Sequence, residues 1–393
     1  MKEIRTTKVM FFLPTLGVGG GERVVSELSL HLPDSIERSI ALFQNHVSYP
    51  YKGELFFLNI PVANALFKKI YYFFVAIWRF KKILKKEKPD YVISFGAPAN
   101  IINLLSHKKT MIRVDNFMSS ASAGAYRMLI KSLYNRAPQI ICVSESSAKD
   151  LEENFNIKKE KIKVIYNPLN VAEIQRLSLE PLTSDYAKIF ESPVIITMGR
   201  LSKQKGQWHL IRAFREVKNT VKNAKLVILG TGELEPELKQ LIRDLGLQSD
   251  IHLLGWQDNP FKFLAKARVF ALSSLWEGLP YVLLEAMACG LPIVSVDCKS
   301  GPREILAPNT DITKEANGIE LAEYGILTPP VDGKKYPIGD PLTQSEKFLQ
   351  EAIIKVLTDE PLAKDLSLKS QQRAQDFDIK SIIKEWAFLG SSN

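Results

Sequence analysis

The sequence predicts an α/β protein made of two doubly wound, parallel-sheet domains. Short apolar runs alternate with amphipathic stretches along the chain, the pattern of parallel strands covered on both faces by helices. The alternation breaks near residues 179–193 and then resumes, which divides the chain in two. The size agrees: 393 residues, 46% hydrophobic and 24% charged, suffice for two ordinary cores without disulfide or metal staples.

In chain order, "KVMFFL", "YVISF", "TMIRV", "QIICV" and "KVIY" read as strands of the first half. "VIITMG", "KLVILG", "DIHLLG", "VFALS" and "PIVSV" read as strands of the second. Helical periodicity covers Glu22–His31, Val62–Lys86, Asp150–Phe155, Trp208–Lys218, Glu235–Leu245 and Gln344–Leu357. The stretch "LEPLTSDYAKIFESP" has no consistent period and carries Pro181 and Pro193. The expected organisation is a domain over 1–178, a linker over 179–193, a domain over 194–376 and a terminal segment over 377–393 with a helix at Ile379–Leu389. Asp378 is placed to cap that helix. The cap explains the Asp376-x-Asp378 pair better than metal binding does, since a metal pair needs a cleft loop after a strand.

Three cysteines without a CxxC pair exclude a disulfide framework and a structural zinc site. Five scattered histidines without HExxH disfavour a zinc enzyme, so no metal is expected. The N-terminus "MKEIRTTKVMFFLP" lacks the apolar core and small-residue cleavage site of a signal peptide, and the expected location is cytoplasmic. The longest lipid-like run, Ile70–Trp78, is nine residues, against the ~20 that span a bilayer.

The net charge of +9 is unevenly spread: residues 1–180 carry 26 basic and 16 acidic side chains, the remainder 26 and 27. The excess peaks in "VANALFKKIYYFFVAIWRFKKILKK", with seven basic residues, seven aromatics and no acid. A helix there aligns Lys68, Tyr72, Val75, Arg79, Lys82 and Lys86 on one face, with Phe67, Ile70, Phe74, Ile77 and Trp78 towards the other. That pattern suits an interfacial helix, its apolar aromatic side in the headgroup boundary and its basic side towards anionic lipid or phosphate. The alternative is a core-packing helix with a solvated basic edge. No RNP-like or helix-turn-helix signature accompanies the charge, so nucleic acid is not an expected partner.

Three loops carry candidate chemistry. After the first strand comes "PTLGVGGGERVV", where Gly20 and Gly21 precede a helix expected near Glu22. Glycines let backbone N–H groups approach an anion at a helix start; a tight turn is the other reading. It is neither a dinucleotide fingerprint nor a P-loop. In "GRLSKQKGQWHLIRAF", Arg200 and Lys205 place two cations in a strand-to-helix loop, suited to a diphosphate, or else simply solvated. In "SSLWEGLPYVLLEAMACGLPIVS", Glu277 and Glu285 lie eight apart around the turn Gly278-Leu279-Pro280. Amides of that turn suit phosphate oxygens, and a carboxylate one to two turns into the helix suits the two hydroxyls of a ribose. Paired carboxylates also occur in glycoside hydrolysis, but there they oppose each other across a bond rather than flank a helix start. Glu285 inside an apolar run argues against mere surface charge.

With these motifs in order, together with "LVILGTGELEPELKQLIRDLGL", "IHLLGWQDNPFKFLAKA" and "SGPREIL", nearly the whole chain resembles the retaining glycosyltransferases of family 4 with the GT-B fold. The resemblance implies two Rossmann-like domains and a terminal helix returning to the first domain. It implies that Glu277 contacts the donor sugar region and Glu285 the ribose. Arg200 and Lys205 neutralise the donor diphosphate, Gly20 and Gly21 approach the phosphate, and Trp256 and Gln257 lie beside the base. It implies a UDP-sugar donor, retention at the anomeric carbon and no metal or cofactor. Where the family often has a histidine, this chain has Asp115, an expected sugar or acceptor contact or a loop cap. Membrane-associated members carry an amphipathic basic helix where this chain has Val62–Lys86. Lys68, Arg79, Lys82 and Lys86 are therefore the expected contacts of a lipid-linked or glycan acceptor, on a protein peripheral to the inner face of the cytoplasmic membrane. A soluble acceptor is the alternative.

Overall fold

The computed structural model describes residues 6–17, 19–107, 109–121 and 124–389. It divides into two compact units: residues 1–168 with 379–393, and residues 169–378. The division lies at Pro168/Leu169 and Asp378/Ile379, whereas the sequence pattern placed the end of the first domain at 178.

The first unit runs β1 (Thr7–Leu13), α1 (Gly20–His31), β2 (Ile36–Leu42), β3 (Glu54–Phe57), α2 (Leu66–Glu87), β4 (Tyr91–Phe95), α3 (Ala97–Ser106), β5 (Thr110–Val114), α4 (Met118–Ala121), α5 (Gly124–Tyr134), β6 (Gln139–Cys142), α6 (Glu145–Phe155) and β7 (Ile162–Val164). Its strands are all parallel, in the order β3-β2-β1-β4-β5-β6-β7. β1 reads "TKVMFFL" with both parities apolar because both sheet faces are covered. Met10 and Phe12 face α2, where Phe12 stacks on Phe80 at 3.9 Å. β2 was not expected, because Arg38 interrupts its apolar run. The structure buries that guanidinium and satisfies it with the carbonyls of Ser29 and Leu32.

The second unit runs α7 (Val171–Ser178), α8 (Ser184–Ala187), β8 (Val194–Met198), α9 (Gln207–Thr220), β9 (Lys225–Leu229), α10 (Glu235–Asp244), β10 (Ile251–Gly255), α11 (Phe261–Leu264), β11 (Val269–Leu272), α12 (Tyr281–Ala288), β12 (Ile293–Val296), α13 (Pro302–Leu306), β13 (Glu320–Ala322), β14 (Gly325–Thr328), α14 (Gln344–Thr358) and α15 (Glu360–Gln375). The order is β10-β9-β8-β11-β12-β14-β13, parallel except for the short β13–β14 hairpin. The stretch read as a linker holds α8 and a short 3-10 turn inside this unit. Thr343 and Glu346 form a capping box that starts α14.

The chain then returns to the first unit as α16 (Ile379–Glu385), which packs against α1 and is followed by one 3-10 turn. Each sheet reverses its strand order between two neighbours, β1/β4 and β8/β11. The crevice beyond the carboxyl ends of such strands is where open α/β sheets take ligands.

Candidate active site

In the second unit, the two strands at the reversal feed the two loops singled out above. After β8 the chain passes Arg200 and turns through Lys203–Lys205 to Gly206, the residue before α9. After β11 it passes Ser273–Pro280 into α12. Gly206 has φ 57°, and a Cβ there would meet the Ser273 carbonyl oxygen at 2.4 Å, so only glycine lets these loops touch.

The loops are stitched together. The amide of Leu275 donates to the Gln204 carbonyl at 2.7 Å, and Ser273 Oγ to the Lys205 carbonyl at 3.1 Å. Gln204 Nε2 donates to the Trp276 carbonyl at 2.9 Å. Their centre is an ion pair: Lys205 Nζ lies 2.6 Å from Glu277 Oε1, which also accepts from Ser274 Oγ at 2.6 Å. The glutamate is sealed, 6% exposed, while the lysine keeps 17%. The pair therefore offers a cation, not a carboxylate, to a ligand.

Arg200 is exposed on the same loop. Gly278, Leu279 and Pro280 are held by the 299–301 segment: the Glu277 amide donates to the Lys299 carbonyl at 3.1 Å and Ser300 Oγ to the Gly278 carbonyl at 2.6 Å. Glu285 is buried on α12. Burial, reinforced by the Glu285 charge, pushes the Cys289 thiol up to about 12. Trp256 and Gln257 follow β10, the edge strand two places from β8, and bond locally to Asp258 and the Leu254 carbonyl. No described contact joins them to the Lys205–Glu277 pair.

In the first unit α1 begins at Gly20, two residues before the expected start, so Gly20 and Gly21 form its first turn. Gly20 opens onto free space. A Cβ on Gly21 would lie 3.4 Å from Asp115 Oδ2, so these two expected site residues are neighbours. Asp115 is positioned from β5: Arg113 Nε donates to its Oδ1 at 2.7 Å, and Arg113 Nη2 donates to Asn167 Oδ1 at 2.7 Å. The guanidinium also lies 5.8 Å from the ring centres of Phe95 and Trp386. Here the arginine is fully sealed at 0% and the aspartate 21% exposed, so this pair offers a carboxylate. Sequence reasoning missed Arg113, Gln204, Ser274 and Ser300. Arg113 left a signal: a cation inside the apolar strand "TMIRV", with Asp115 two residues on and thus on the same side of the strand.

Of the four basic residues expected on one face of α2, three are exposed and one is drawn to the protein. Lys68 is exposed. Arg79 turns inward, its Nη1 donating to the carbonyls of Leu58 at 2.5 Å and Asn59 at 2.8 Å. Lys82 Nζ sits 3.7 Å over the Trp78 ring, and Lys86 pairs with Glu87 at 3.2 Å. The helix buries Ala76, Phe80 and Leu84 against the sheet, which draws Arg79 to the protein side. Exposed as well are Leu66, Phe67, Ile70, Tyr71, Phe74 and Trp78.

The family model described as glycosyltransferase family 4 matches residues 18–173, and that described as glycosyl transferases group 1 matches residues 184–324. An uncharacterised glycosyltransferase of Methanocaldococcus jannaschii is 40% identical over 80% of this chain and 84% of its own. The N-acetylgalactosamine-N,N'-diacetylbacillosaminyl-diphospho-undecaprenol 4-alpha-N-acetylgalactosaminyltransferase of Campylobacter jejuni is 30% identical over 96% of this chain and 98% of its own. Among solved structures, Anabaena HepE in complex with UDP-glucose superposes with a TM-score of 0.75 at 20% identity, covering 97% of this chain and 98% of that one. The sucrose-phosphate synthase of Thermosynechococcus elongatus gives 0.74 at 15%, covering 97% and 98%. The fold is GT-B, with two Rossmann-like parallel-sheet units.

Proposed function

The chain belongs to the family 4 glycosyltransferases, and from that premise we propose that it moves a hexose or N-acetylhexosamine, with retention, from a UDP-sugar to a lipid-linked or growing glycan acceptor at the inner face of the cytoplasmic membrane. The observation that carries the donor half is the Lys205–Glu277 pair, which presents a fixed ammonium at the strand reversal of the second unit. The acceptor half draws on the Campylobacter relative, named for a diphospho-undecaprenol-linked glycan.

In this reading Lys205 and Arg200 hold the diphosphate, and the amides of Gly278 and Leu279 add donors to its oxygens. Glu285 accepts from both ribose hydroxyls, and Trp256 and Gln257 flank the base. Glu277 serves the donor sugar region chiefly by fixing Lys205. The amides of Gly20 and Gly21 are assigned to the phosphate and Asp115 Oδ2 to a sugar or acceptor hydroxyl. The bond between the anomeric carbon and the UDP oxygen breaks, and its electron pair leaves with UDP. The acceptor oxygen bonds to the same face of that carbon, and its proton passes to the leaving phosphate oxygen. The two side-chain cations supply the charge stabilisation, so transfer proceeds with EDTA present. With Arg79 committed to carbonyls, Lys68, Lys82 and Lys86 remain for the acceptor diphosphate.

Calorimetric titration with UDP, GDP, ADP and CMP in EDTA, on the parent and Glu285→Ala, tests the donor assignment. Selective UDP binding that the substitution weakens supports it. Absence of nucleotide binding, or equal affinity in the variant, contradicts it.

A further inference from the structure

The exposed turns of α2 have a counterpart on the same sheet face. α3 packs beside both α2 and α5, so the three helices lie side by side. α2 follows β3, and α5 follows β5 by way of α4, so both helices run back from the carboxyl side of the parallel sheet towards the next strand. Uncovered are one side of the first three to four turns of α2, at Leu66, Phe67, Ile70, Tyr71, Phe74 and Trp78, and the start of α5, at Tyr126, Met128 and Leu129, with Met128 74% exposed. Later turns of each helix are buried normally, through Phe80 and Leu84 on α2 and Ile130 and Tyr134 on α5. The largest apolar exposures of these helices therefore lie in the N-terminal half or so of α2 and near the start of α5.

Charge identifies what covers it. Between Val62 and Arg136 the chain carries 14 basic residues against three acids, Glu87, Asp90 and Asp115. Asp115 is paired with Arg113, Glu87 lies against Lys86, and Asp90 Oδ2 accepts from the Lys8 amide. Helix α5 itself has Arg127 and Lys131 and no acid. A second copy of so basic a surface would be repelled, whereas an anionic bilayer supplies both the negative charge and the apolar phase.

We infer that α2 and α5 are two feet of one membrane contact, with the aromatic turns of α2 and the Tyr126–Leu129 turn of α5 entering the headgroup boundary of an anionic bilayer. The inference deepens the membrane part of the proposed function and shares its premise that the acceptor lies at a membrane. It goes beyond the interfacial reading of α2 by adding a second apolar contact, on α5. Two contacts on one unit reinforce each other, because once one is seated the other binds in an intramolecular step.

The test is co-sedimentation with vesicles of phosphatidylcholine alone or mixed with phosphatidylglycerol, with UDP titration in parallel to report folding and the donor site. The parent binds the phosphatidylglycerol vesicles only. Met128→Lys with Leu129→Ser lowers that binding roughly tenfold or more, as expected for two lost apolar contacts. Phe74→Ser with Trp78→Ser does the same, and all four together abolish it, with UDP affinity unchanged throughout. Met128→Trp, at an exposed position that cannot disturb the core, strengthens binding. If the α5 variant binds vesicles like the parent, the second foot is wrong. If the parent binds no vesicle, or these substitutions instead dissolve a lipid-free dimer seen by sedimentation equilibrium, the whole contact is wrong. UDP binding is read separately, so loss of the membrane contact and failure of the donor assignment remain distinguishable.

Discussion

Each unit carries an ion pair beside its strand reversal, and the two pairs are opposite in which partner they expose. In the second unit the carboxylate of Glu277 is sealed and Lys205 is reachable; in the first the guanidinium of Arg113 is sealed and Asp115 is reachable. A buried partner fixes the position of the exposed one without competing for the ligand. The same device thus presents a cation in one unit, matched to phosphate, and a carboxylate in the other, matched to hydroxyls. The supporting shells differ too. Lys205 is held by a stitched pair of loops, whereas Asp115 hangs on one arginine anchored by Asn167 and lying near two aromatic rings.

The comparison is broken most severely at Lys205. Lys205→Ala leaves Glu277 buried without its cation, so stability falls by about 3–5 kcal/mol. UDP affinity falls roughly 10- to 100-fold with loss of a charged hydrogen bond. Urea denaturation and calorimetry read the two effects. Arg113→Met comes next, with a loss of about 2–3 kcal/mol, because Asp115 can rehydrate where Glu277 cannot. UDP affinity stays at the parent value, and Arg113→Lys restores part of the stability. Asp115→Asn is milder, because asparagine still accepts from Arg113 while leaving its sealed charge uncompensated: stability falls by about 1–2 kcal/mol and transfer slows by about tenfold, which denaturation and steady-state kinetics read separately.

The smallest effect concerns a third cluster, in the second unit alone. Burial by itself would raise the Glu346 carboxyl. Hydrogen bonds from His209, Arg212 and the Thr343 amide outweigh it and hold the group below its ordinary value of 4.5. A depressed folded value means that the stability is present above pH 4.5 and is lost as pH falls through the folded value. Denaturation at stepped pH should show that loss, and His209→Gln should flatten it.

The ten strands read from apolar runs are all present, because a buried parallel strand is a nearly continuous hydrophobic word. The four that were missed lacked that word. β2 is interrupted by Arg38, β3 is a four-residue edge strand, and β13 and β14 form a short hairpin. Lys205 and Glu277, singled out from separate loops, meet in an ion pair, and Glu285 is buried as its apolar run implied. Ser274, Gln204 and Ser300 were not legible, since a hydroxyl or amide that holds a loop looks like any other until the loops meet. On α2, periodicity identified the helix and its outward aromatic side, Phe67, Ile70, Phe74 and Trp78, but not which residues reach the sheet. Which residues a helix buries depends on the sheet beneath it, and Phe80 packing on Phe12 turned Arg79 inward and left Phe67, Phe74 and Trp78 outside.

The claim that the two pairs present opposite charges is tested most directly by UDP titration of Lys205→Ala beside Asp115→Asn, at a urea-free pH where both remain folded. The account predicts that the lysine variant loses most of its UDP affinity and the aspartate variant keeps it. Equal affinity in the two variants, or loss confined to Asp115→Asn, would contradict it.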